Sequence, residues 1–375
     1  MDVQSSVRER YSNAARKKEP ALCCPAQDYD PGRLALLPRE IIEKDYGCGD
    51  PSRHVRAGDV VLDLGSGAGK ICYLAAQLVG TTGQVIGVDM NDDMLSLARK
   101  YQPEMAHKLG GDRVRFVKGR IQDLAQDLEA LDTYLEHHPV RSAADHDRLL
   151  AWQEEQRRNA PLIADLSVDL VVSSCVLNLV REQDKEALIR EIHRVLRPGG
   201  RVAVSDIVSD EPVPEHLKQD PELWSGCISG AYSEHGFLQA FADAGFLAVR
   251  YEQWDGAPWQ VVEGIEFRSV TLTAVKGDGT ACLDHGHAVL YRGPYASITD
   301  DEGHVFPRGE RMAVCARTYR FLTTGPLRDD FIGIPPVTPR DPPVSWCAPP
   351  GTRRPAAESK GAAHSAGGET AGRCC

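Results

Sequence analysis

Val60-Val-Leu-Asp63-Leu-Gly65-Ser-Gly67-Ala-Gly69 is the stretch on which the reading of this chain turns. The apolar run at its head is a strand candidate, Asp59–Asp63, and the helical pattern Lys70–Val79 follows its glycines directly. Glycines let the backbone turn sharply and let a ligand approach the main chain at the start of the helix. Twenty residues beyond Gly69, Asp89 ends the next strand candidate, Gln84–Asp89. A carboxylate there can accept from both hydroxyls of a ribose. Strand, glycine turn, helix and acid together point to a nucleotide-like ligand.

The same rhythm continues outward. Further strand candidates are Val114–Lys118, Val168–Ser173, Arg201–Ile207, Leu247–Tyr251 and Phe267–Ala274. Helical patterns lie between them at Asn91–Gln102, Lys185–Leu196 and Glu234–Ala244. Such alternation predicts an α/β fold with a mostly parallel, doubly wound sheet. The last two strand candidates have no long helix between them, so they are expected to pair antiparallel at one edge. Residues 1–49 read as an N-terminal lid segment and 50–274 as the sheet domain, with a polar helical insertion at 126–161. Residues 275–334 read as a small C-terminal α+β domain. From Pro335 the composition shifts to Pro, Gly, Ala and Ser, and 335–375 is expected to be a disordered tail ending in Cys374-Cys375.

Composition excludes several classes. The 375 residues carry 43 Lys and Arg against 54 Asp and Glu, a formal charge of −11, and an acidic chain repels a phosphate backbone. No nucleic-acid partner is expected. No apolar run approaches the ~18 residues of a membrane span, so no membrane association is expected. The N-terminal MDVQSSVRERYSNAARKK lacks an apolar signal core, which favours a cytoplasmic location. The eleven cysteines are then the anomaly. In a reduced compartment, thiols in that number point to metal, metalloid or redox chemistry.

Placed on the expected sheet, three of them share one end. Cys175 directly follows the fourth strand in Ser173-Ser-Cys-Val-Leu-Asn-Leu179. Cys227 lies in the loop after the fifth strand, in Trp224-Ser-Gly-Cys-Ile-Ser-Gly-Ala231, and Cys48 sits in Tyr46-Gly-Cys-Gly-Asp50 just before the first. Open α/β sheets bind ligands outside the carboxyl ends of their strands. The bland alternative is that each is a small buried hydrophobe. Converging thiolates select soft centres. Zinc in a closed site takes four ligands, the fourth from Asp, His or water. A trivalent metalloid takes three sulfurs, and its lone pair is itself a nucleophile that requires no general base; no such base is evident in these loops. Elsewhere, Cys72 reads as core packing, Cys282 and Cys315 as structural or inert, and Cys282-Leu-Asp-His-Gly-His287 as a surface loop.

Lys70 stands where the dinucleotide fingerprint demands glycine. The spacing of Asp63, Gly65, Gly67 and Gly69 instead resembles that of class I S-adenosylmethionine-dependent methyltransferases, as does Leu196-Arg-Pro-Gly-Gly-Arg201. Further pieces narrow the resemblance to the arsenite S-adenosylmethionine methyltransferases: Cys23-Cys24-Pro25, Tyr46-Gly-Cys48-Gly, Gly87-Val-Asp-Met90, Ser173-Ser-Cys175-Val-Leu-Asn178-Leu and Gly226-Cys227-Ile-Ser-Gly-Ala231. They span roughly residues 20–275.

The resemblance implies a Rossmann-like sheet with S-adenosylmethionine held by Tyr46, Asp63, Gly65, Ser66, Gly67, Asp89, Met90, Ile121 and Gln122. It implies arsenite and methylarsenite as substrates, with Cys48, Cys175 and Cys227 as the catalytic, arsenic-binding thiols. It makes Cys23 or Cys24 the N-terminal redox cysteine, and glutathione or thioredoxin the thiol reductant. The chain departs from the family pattern at the 126–161 insertion and at Gly226, where an acidic residue usually precedes the third thiol. Two other readings stand beside this one. A small-molecule C-, N- or O-methyltransferase would need a base near Cys175. A thiol-rich metalloid-binding protein would hold the cofactor without turnover.

Overall fold

A computed structural model describes residues 3–17, 19, 29–346 and 348–359. The chain divides into two compact units, 1–277 and 278–375. Cys23, Cys24 and the Cys374-Cys375 pair lie outside the described residues.

The first unit opens with helices α1 (Val3–Arg16), α2 (Pro31–Leu34) and α3 (Arg39–Glu43). The alternating region follows: β1 (Val60–Leu64), α4 (Lys70–Leu78), β2 (Gln84–Asp89), α5 (Asp92–Lys100), α6 (Gln102–Leu109) and β3 (Val114–Lys118). Helices α7 (Leu128–His137) and α8 (Ala143–Asn159) fill the stretch read as an insertion. Tyr134 stacks on Trp152 at 4.3 Å between them, and Arg157 pairs with Asp123 at 2.8 Å, so this hairpin carries its own fastening. Then come β4 (Val168–Ser174), α9 (Glu182–Val195), β5 (Leu196–Ser209), α10 (Glu215–Lys218) and α11 (Pro221–Ser225). The unit closes with β6 (Tyr232–Ser233), α12 (Glu234–Asp243), β7 (Phe246–Trp254), β8 (Gln260–Val262) and β9 (Ile265–Lys276).

The sheet runs β3-β2-β1-β4-β5-β9-β7. Strands β3 through β5 are parallel, and β9 lies antiparallel between β5 and β7, so the expected antiparallel pairing is present with β7 at the edge. Strand order reverses between β1 and β4, which opens a crevice at their carboxyl ends. The unbroken apolar strands are explained by burial on both faces. Val61, Val85 and Leu170 pack on one side with α4 and α5, while Leu62, Ile86 and Val171 pack on the other with α9 and α12. Strand β5 begins at Leu196 rather than at the expected Arg201. Leu196 pairs with Val168 and Arg201 with Leu170, and the Pro-Gly-Gly between them forms a bulge.

The N-terminal segment is fastened to this frame. Lys70, nearly buried at the start of α4, pairs with Asp45, and its ammonium stands 3.9 Å over the Tyr29 ring. Asn91, the N-cap of α5, donates to the Arg8 carbonyl at 3.2 Å and to Ser12 Oγ at 3.0 Å, which draws α1 across the same end of the sheet.

The second unit contains β10 (Leu283–Asp284), β11 (Ala288–Tyr291), β12 (Ser297–Thr299), β13 (Val305–Pro307), β14 (Arg311–Ala313), α13 (Ala316–Thr324), β15 (Phe331–Ile334), β16 (Val344–Ser345) and α14 (Ala356–Ser359). Val289, Phe306, Met312, Leu322 and Phe331 form its core. The tail expected from Pro335 is corrected here. Strand β16 pairs with β10, and Arg340 and Arg354 reach the Asp284 carboxylate at 2.6 and 2.8 Å. Folded structure therefore continues to Ser359. Asp284 is buried, so the segment read as a surface loop is an ionic anchor instead. Two-residue strands and arginines distant in sequence leave no periodic signal. No helix among the described residues is long and apolar enough to cross a membrane.

Candidate active site

The glycine loop and α1 enclose one cavity. Tyr46, Asp63, Gly65, Ser66, Gly67, Asp89, Met90, Ile121 and Gln122 all line it, so the residues named from sequence share one space. Val7, Arg8 and Tyr11 of α1, which sequence reading did not name within the expected 1–49 lid, line it too. Tyr46 donates to the Ala14 carbonyl at 3.0 Å, which ties α1 to the segment leading to Cys48.

The loop geometry follows from its glycines. A methyl on Gly65 would lie 2.5 Å from a Val176 methyl carbon, whereas one on Gly67, whose φ is +50°, would meet nothing within 4 Å. The main chain at Gly67 thus stays open toward the cavity. Asp89 accepts from Gly67 N–H at 2.8 Å with one oxygen and from Asn91 N–H at 2.8 Å with the other. Each oxygen retains a lone pair for a ligand hydroxyl. Burial raises the Asp89 carboxyl above its ordinary range, against the pull of those N–H donors.

Asp63 is buried, and burial pushes its carboxyl up to about 7. The Cys72 hydrogen bond opposes this, and the neighbouring Asp45 and Asp89 add to it. The Cys72 thiol donates to Asp63 at 3.2 Å, so Cys72 packs in the core as expected and also holds an acid beneath the glycine loop. Ser66 Oγ is buried without a hydrogen-bond partner. A carboxylate for ribose hydroxyls, an unsatisfied hydroxyl and open glycine main chain make a donor and acceptor set that fits S-adenosylmethionine.

Cys175 lines the same cavity and begins the thiol site. Cys48, Cys175 and Cys227 fall in one apolar cluster with Ile207, Val213, Ile228 and Phe267, and each is at most 2% exposed. Cys48 and Cys175 are joined by a disulfide with a Cα–Cα distance of 5.6 Å. The two cysteines read from sequence as arsenic-binding thiols are thus paired with each other in this structure. Cys227 is not disulfide-bonded, and its sulfur lies 3.6 Å from the Cys175 carbonyl, to which the thiol donates.

Three main-chain approaches create this convergence. Ser174 Oγ donates to the Cys48 carbonyl at 2.8 Å. A methyl on Gly47 would lie 2.4 Å from Ser174 Oγ, and one on Gly49 would lie 2.6 Å from Ser205 Oγ. Only a Gly-Cys-Gly segment lets the backbone come that close. Cys175 and Cys227 both adopt left-handed backbone, at φ 55° and 65°.

Asp206 was missed by sequence reading. Its carboxylate and the sulfurs of Cys48 and Cys175 lie mutually within 4.8 Å, a trio that Cys227 does not join. Asp206 accepts from Leu177 N–H at 2.9 Å and from Asn178 Nδ2 at 2.8 Å, which fixes the turn carrying Cys175. Asn178 Nδ2 also donates to the Ile207 carbonyl at 2.7 Å and to the Cys227 carbonyl at 3.4 Å, linking the two thiol loops. Burial pushes the Asp206 carboxyl up to about 6, with the N–H groups of Ile207, Asn178 and Leu177 opposing. An apolar strand ending in Ser-Asp gives no sign that its acid faces a cysteine from another strand.

Comparison with known proteins follows the same division. A methyltransferase domain family matches residues 56–154 and 153–245, and a domain of unknown function matches 278–364. The arsenite methyltransferase of Aquipseudomonas alcaligenes is 32% identical over 335 residues, 85% of this chain and 86% of that protein. That of Halobacterium salinarum is 38% identical over 271 residues, 66% of this chain and 58% of that protein. The crystal structure of an arsenic(III) S-adenosylmethionine methyltransferase from Chlamydomonas reinhardtii, 28% identical, superposes with a TM-score of 0.56 over 82% of this chain and 97% of that one. Fold, cavity and relatives agree: the chain is an S-adenosylmethionine-dependent methyltransferase and belongs to the arsenite methyltransferase family.

Proposed function

We propose that the chain methylates trivalent arsenic held by Cys48, Cys175 and Cys227, with arsenite and methylarsenite as substrates. The observation that carries this reading is the position of Cys175, which belongs both to the cofactor cavity and to the thiol cluster. When bound, S-adenosylmethionine supplies an electrophilic methyl group on its sulfonium. The residues Tyr46, Asp63, Gly65, Ser66, Gly67, Asp89, Met90, Ile121 and Gln122 hold and orient it. Arsenite, As(OH)3, takes three thiols and releases three waters, so each thiol proton leaves with a hydroxide. The arsenic lone pair is the nucleophile, and the chain contributes proximity, orientation and exclusion of water.

Methylation raises arsenic to the pentavalent state. Two of its thiolates can then leave together as a disulfide, which returns two electrons to arsenic, and water or another thiol takes the vacated position. The Cys48–Cys175 disulfide matches the protein product of that step. A thiol reductant such as glutathione or thioredoxin reopens it. Asp206 and Asn178 are positioning residues for the thiol loops.

The test is arsenic speciation with each single variant and each substrate. A monomethylated arsenic has only two positions left for sulfur. Cys48 comes from the N-terminal segment, while Cys175 and Cys227 follow the sheet strands. Cys48→Ser is therefore expected to lose methylation of arsenite and keep that of methylarsenite, whereas Cys175→Ser and Cys227→Ser lose both. Serine is nearly isosteric yet a poor ligand for a soft centre, and circular dichroism checks the fold. Near wild-type turnover of methylarsenite by Cys175→Ser would overturn the assignment.

A further inference from the structure

Arg10 belongs to α1, which encloses the cofactor cavity, yet its side chain reaches the loop of the third thiol. Its Nη1 donates to Ser225 Oγ at 2.7 Å and to the Glu222 carbonyl at 3.1 Å. Ser225 is 1% exposed and stands two residues before Cys227. On the other side of the guanidinium, Nε and Nη2 donate to the Glu19 carboxylate at 3.0 and 2.9 Å. The Glu19 N–H donates in turn to Tyr46 Oη at 3.2 Å. One polar chain therefore runs from Tyr46, two residues before Cys48, through Glu19 and Arg10 to Ser225.

The Cys227 loop needs such a fastening. It follows α11, a helix of five residues, and Cys227 itself adopts left-handed backbone at φ 65°. That conformation persists only where the surroundings enforce it. Carbonyls at the carboxyl end of a helix lack partners within it, and a cation is favoured there. Arg10 meets both conditions. Its planar fork lets two nitrogens hold Glu19 while the third grips Glu222 and Ser225, which a point charge on a lysine could not do together.

The helix has other attachments that do not involve Arg10. Asn91 holds the Arg8 carbonyl and Ser12, and Tyr46 holds the Ala14 carbonyl. Arg10 does not line the cavity. Loss of its guanidinium should therefore free the thiol loop and leave α1 over the cofactor.

We propose that Arg10 is a positioning residue for Cys227, setting the third thiol from the helix that covers the cofactor cavity. Its bearing on the reaction rests on the arsenic-binding role proposed above for Cys227.

The first test reads the loop without arsenic. Full-length wild type and Arg10→Met are treated with iodoacetamide, and alkylation is followed on the tryptic peptide 219–250, which contains Cys227. Such a reaction tracks the opened population. A hydrogen bond from a charged donor holds the closed state by a factor of about 10–150, so Cys227 should react at least roughly 10-fold faster in the variant. Cys72, buried in the core, should keep its rate. Arg16→Met, which breaks the exposed Arg16–Asp93 pair of the same helix, should leave Cys227 protected. An unchanged Cys227 rate, a parallel rise at Cys72, or an equal effect of Arg16→Met overturns the proposal. Should Arg10→Met not fold, Glu19→Gln frees the guanidinium from its other side and should likewise speed Cys227; unaltered protection there is equally decisive against it.

The second test is kinetic. With arsenite, Arg10→Met should lower kcat by a factor of roughly 10–100, the cost of a reacting group displaced by up to about 1 Å. The KM for S-adenosylmethionine should stay as in wild type. Cys227→Ser is assayed beside it. Turnover that survives Cys227→Ser refutes the arsenic-binding role of that thiol, while the alkylation rates still report on Arg10. Turnover lost in Cys227→Ser but undiminished in Arg10→Met refutes the positioning role alone.

Discussion

A methyl group on Gly230 would lie 1.9 Å from the carbonyl oxygen of Asn178. The loop that carries Cys227 thus packs main chain against main chain on the turn that carries Cys175, and Lys185 holds it there through the Gly230 carbonyl at 2.7 Å. Gly230→Ala must push the two loops apart. Displacement near 1 Å costs on the order of 100-fold in rate when reacting groups are positioned by their scaffold. We expect methylation turnover to fall by about that factor with cofactor affinity nearly unchanged, because Gly230 does not line the cavity. Steady-state kinetics beside calorimetric titration would show it. Undiminished turnover would separate Cys227 from the reaction.

Asp89 connects the cofactor cavity to the glycine loop through Gly67 N–H. Asp89→Ala removes an ionised hydrogen-bond acceptor worth ~1.5–3 kcal/mol. S-adenosylmethionine affinity should drop by a corresponding factor of roughly 10–150. Capture of arsenite by the reduced chain should change little. Isothermal titration with each ligand distinguishes the two, and unaltered cofactor binding would remove Asp89 from the ribose.

These two sites differ in how far sequence revealed them. The glycine loop and Asp89 were legible because strand, turn, helix and acid occur in one local run with a known purpose. Cys48, Cys175 and Cys227 were legible once the strand order placed their loops at one end. Asp206 was not, since its nearness to Cys175 is set by the β4–β5 register, in which Ser174 pairs with Ser205. Nor was the identity of the pair that forms a disulfide, because three loops converging at one end do not say which two sulfurs meet. The boundary at Pro335 failed for a related reason. Arg340 and Arg354 meet Asp284 across long separations, and a segment rich in Pro and Gly shows no periodic burial.

Asp63 should leave a signature in the pH dependence of stability. Its carboxyl titrates at about 7 in the folded chain and near 4 when unfolded. The folded state holds the proton more tightly. The stabilising contribution is therefore complete below about pH 4 and is lost as pH rises through about 7. Asparagine cannot ionise, so Asp63→Asn lacks this slope. The stability of wild type relative to the variant should decline between pH 5 and pH 8 in urea titrations. A constant difference across that window would contradict the burial of an ionisable Asp63.

In the second unit, Arg354 and Asp284 are an almost wholly buried pair, with side chains 4% and 2% exposed. Arg354→Ala leaves a buried carboxylate with Arg340 as its remaining charged partner, and breaking such a pair costs about 3 kcal/mol. Calorimetry should show a lower transition temperature for the second unit, while cofactor binding by the first is retained. An unshifted thermogram would mean that Asp284 is not an anchor.

Cys175 and Cys227 occupy left-handed backbone, where a residue other than glycine carries a penalty of about 1 kcal/mol. Folding alone would favour glycine at both positions. An effort to harden this enzyme against heat, guided only by melting temperature, would be drawn to these two residues and would remove the sulfurs proposed to hold arsenic. Its most tempting sites for improvement are the ones that the proposed chemistry can least spare.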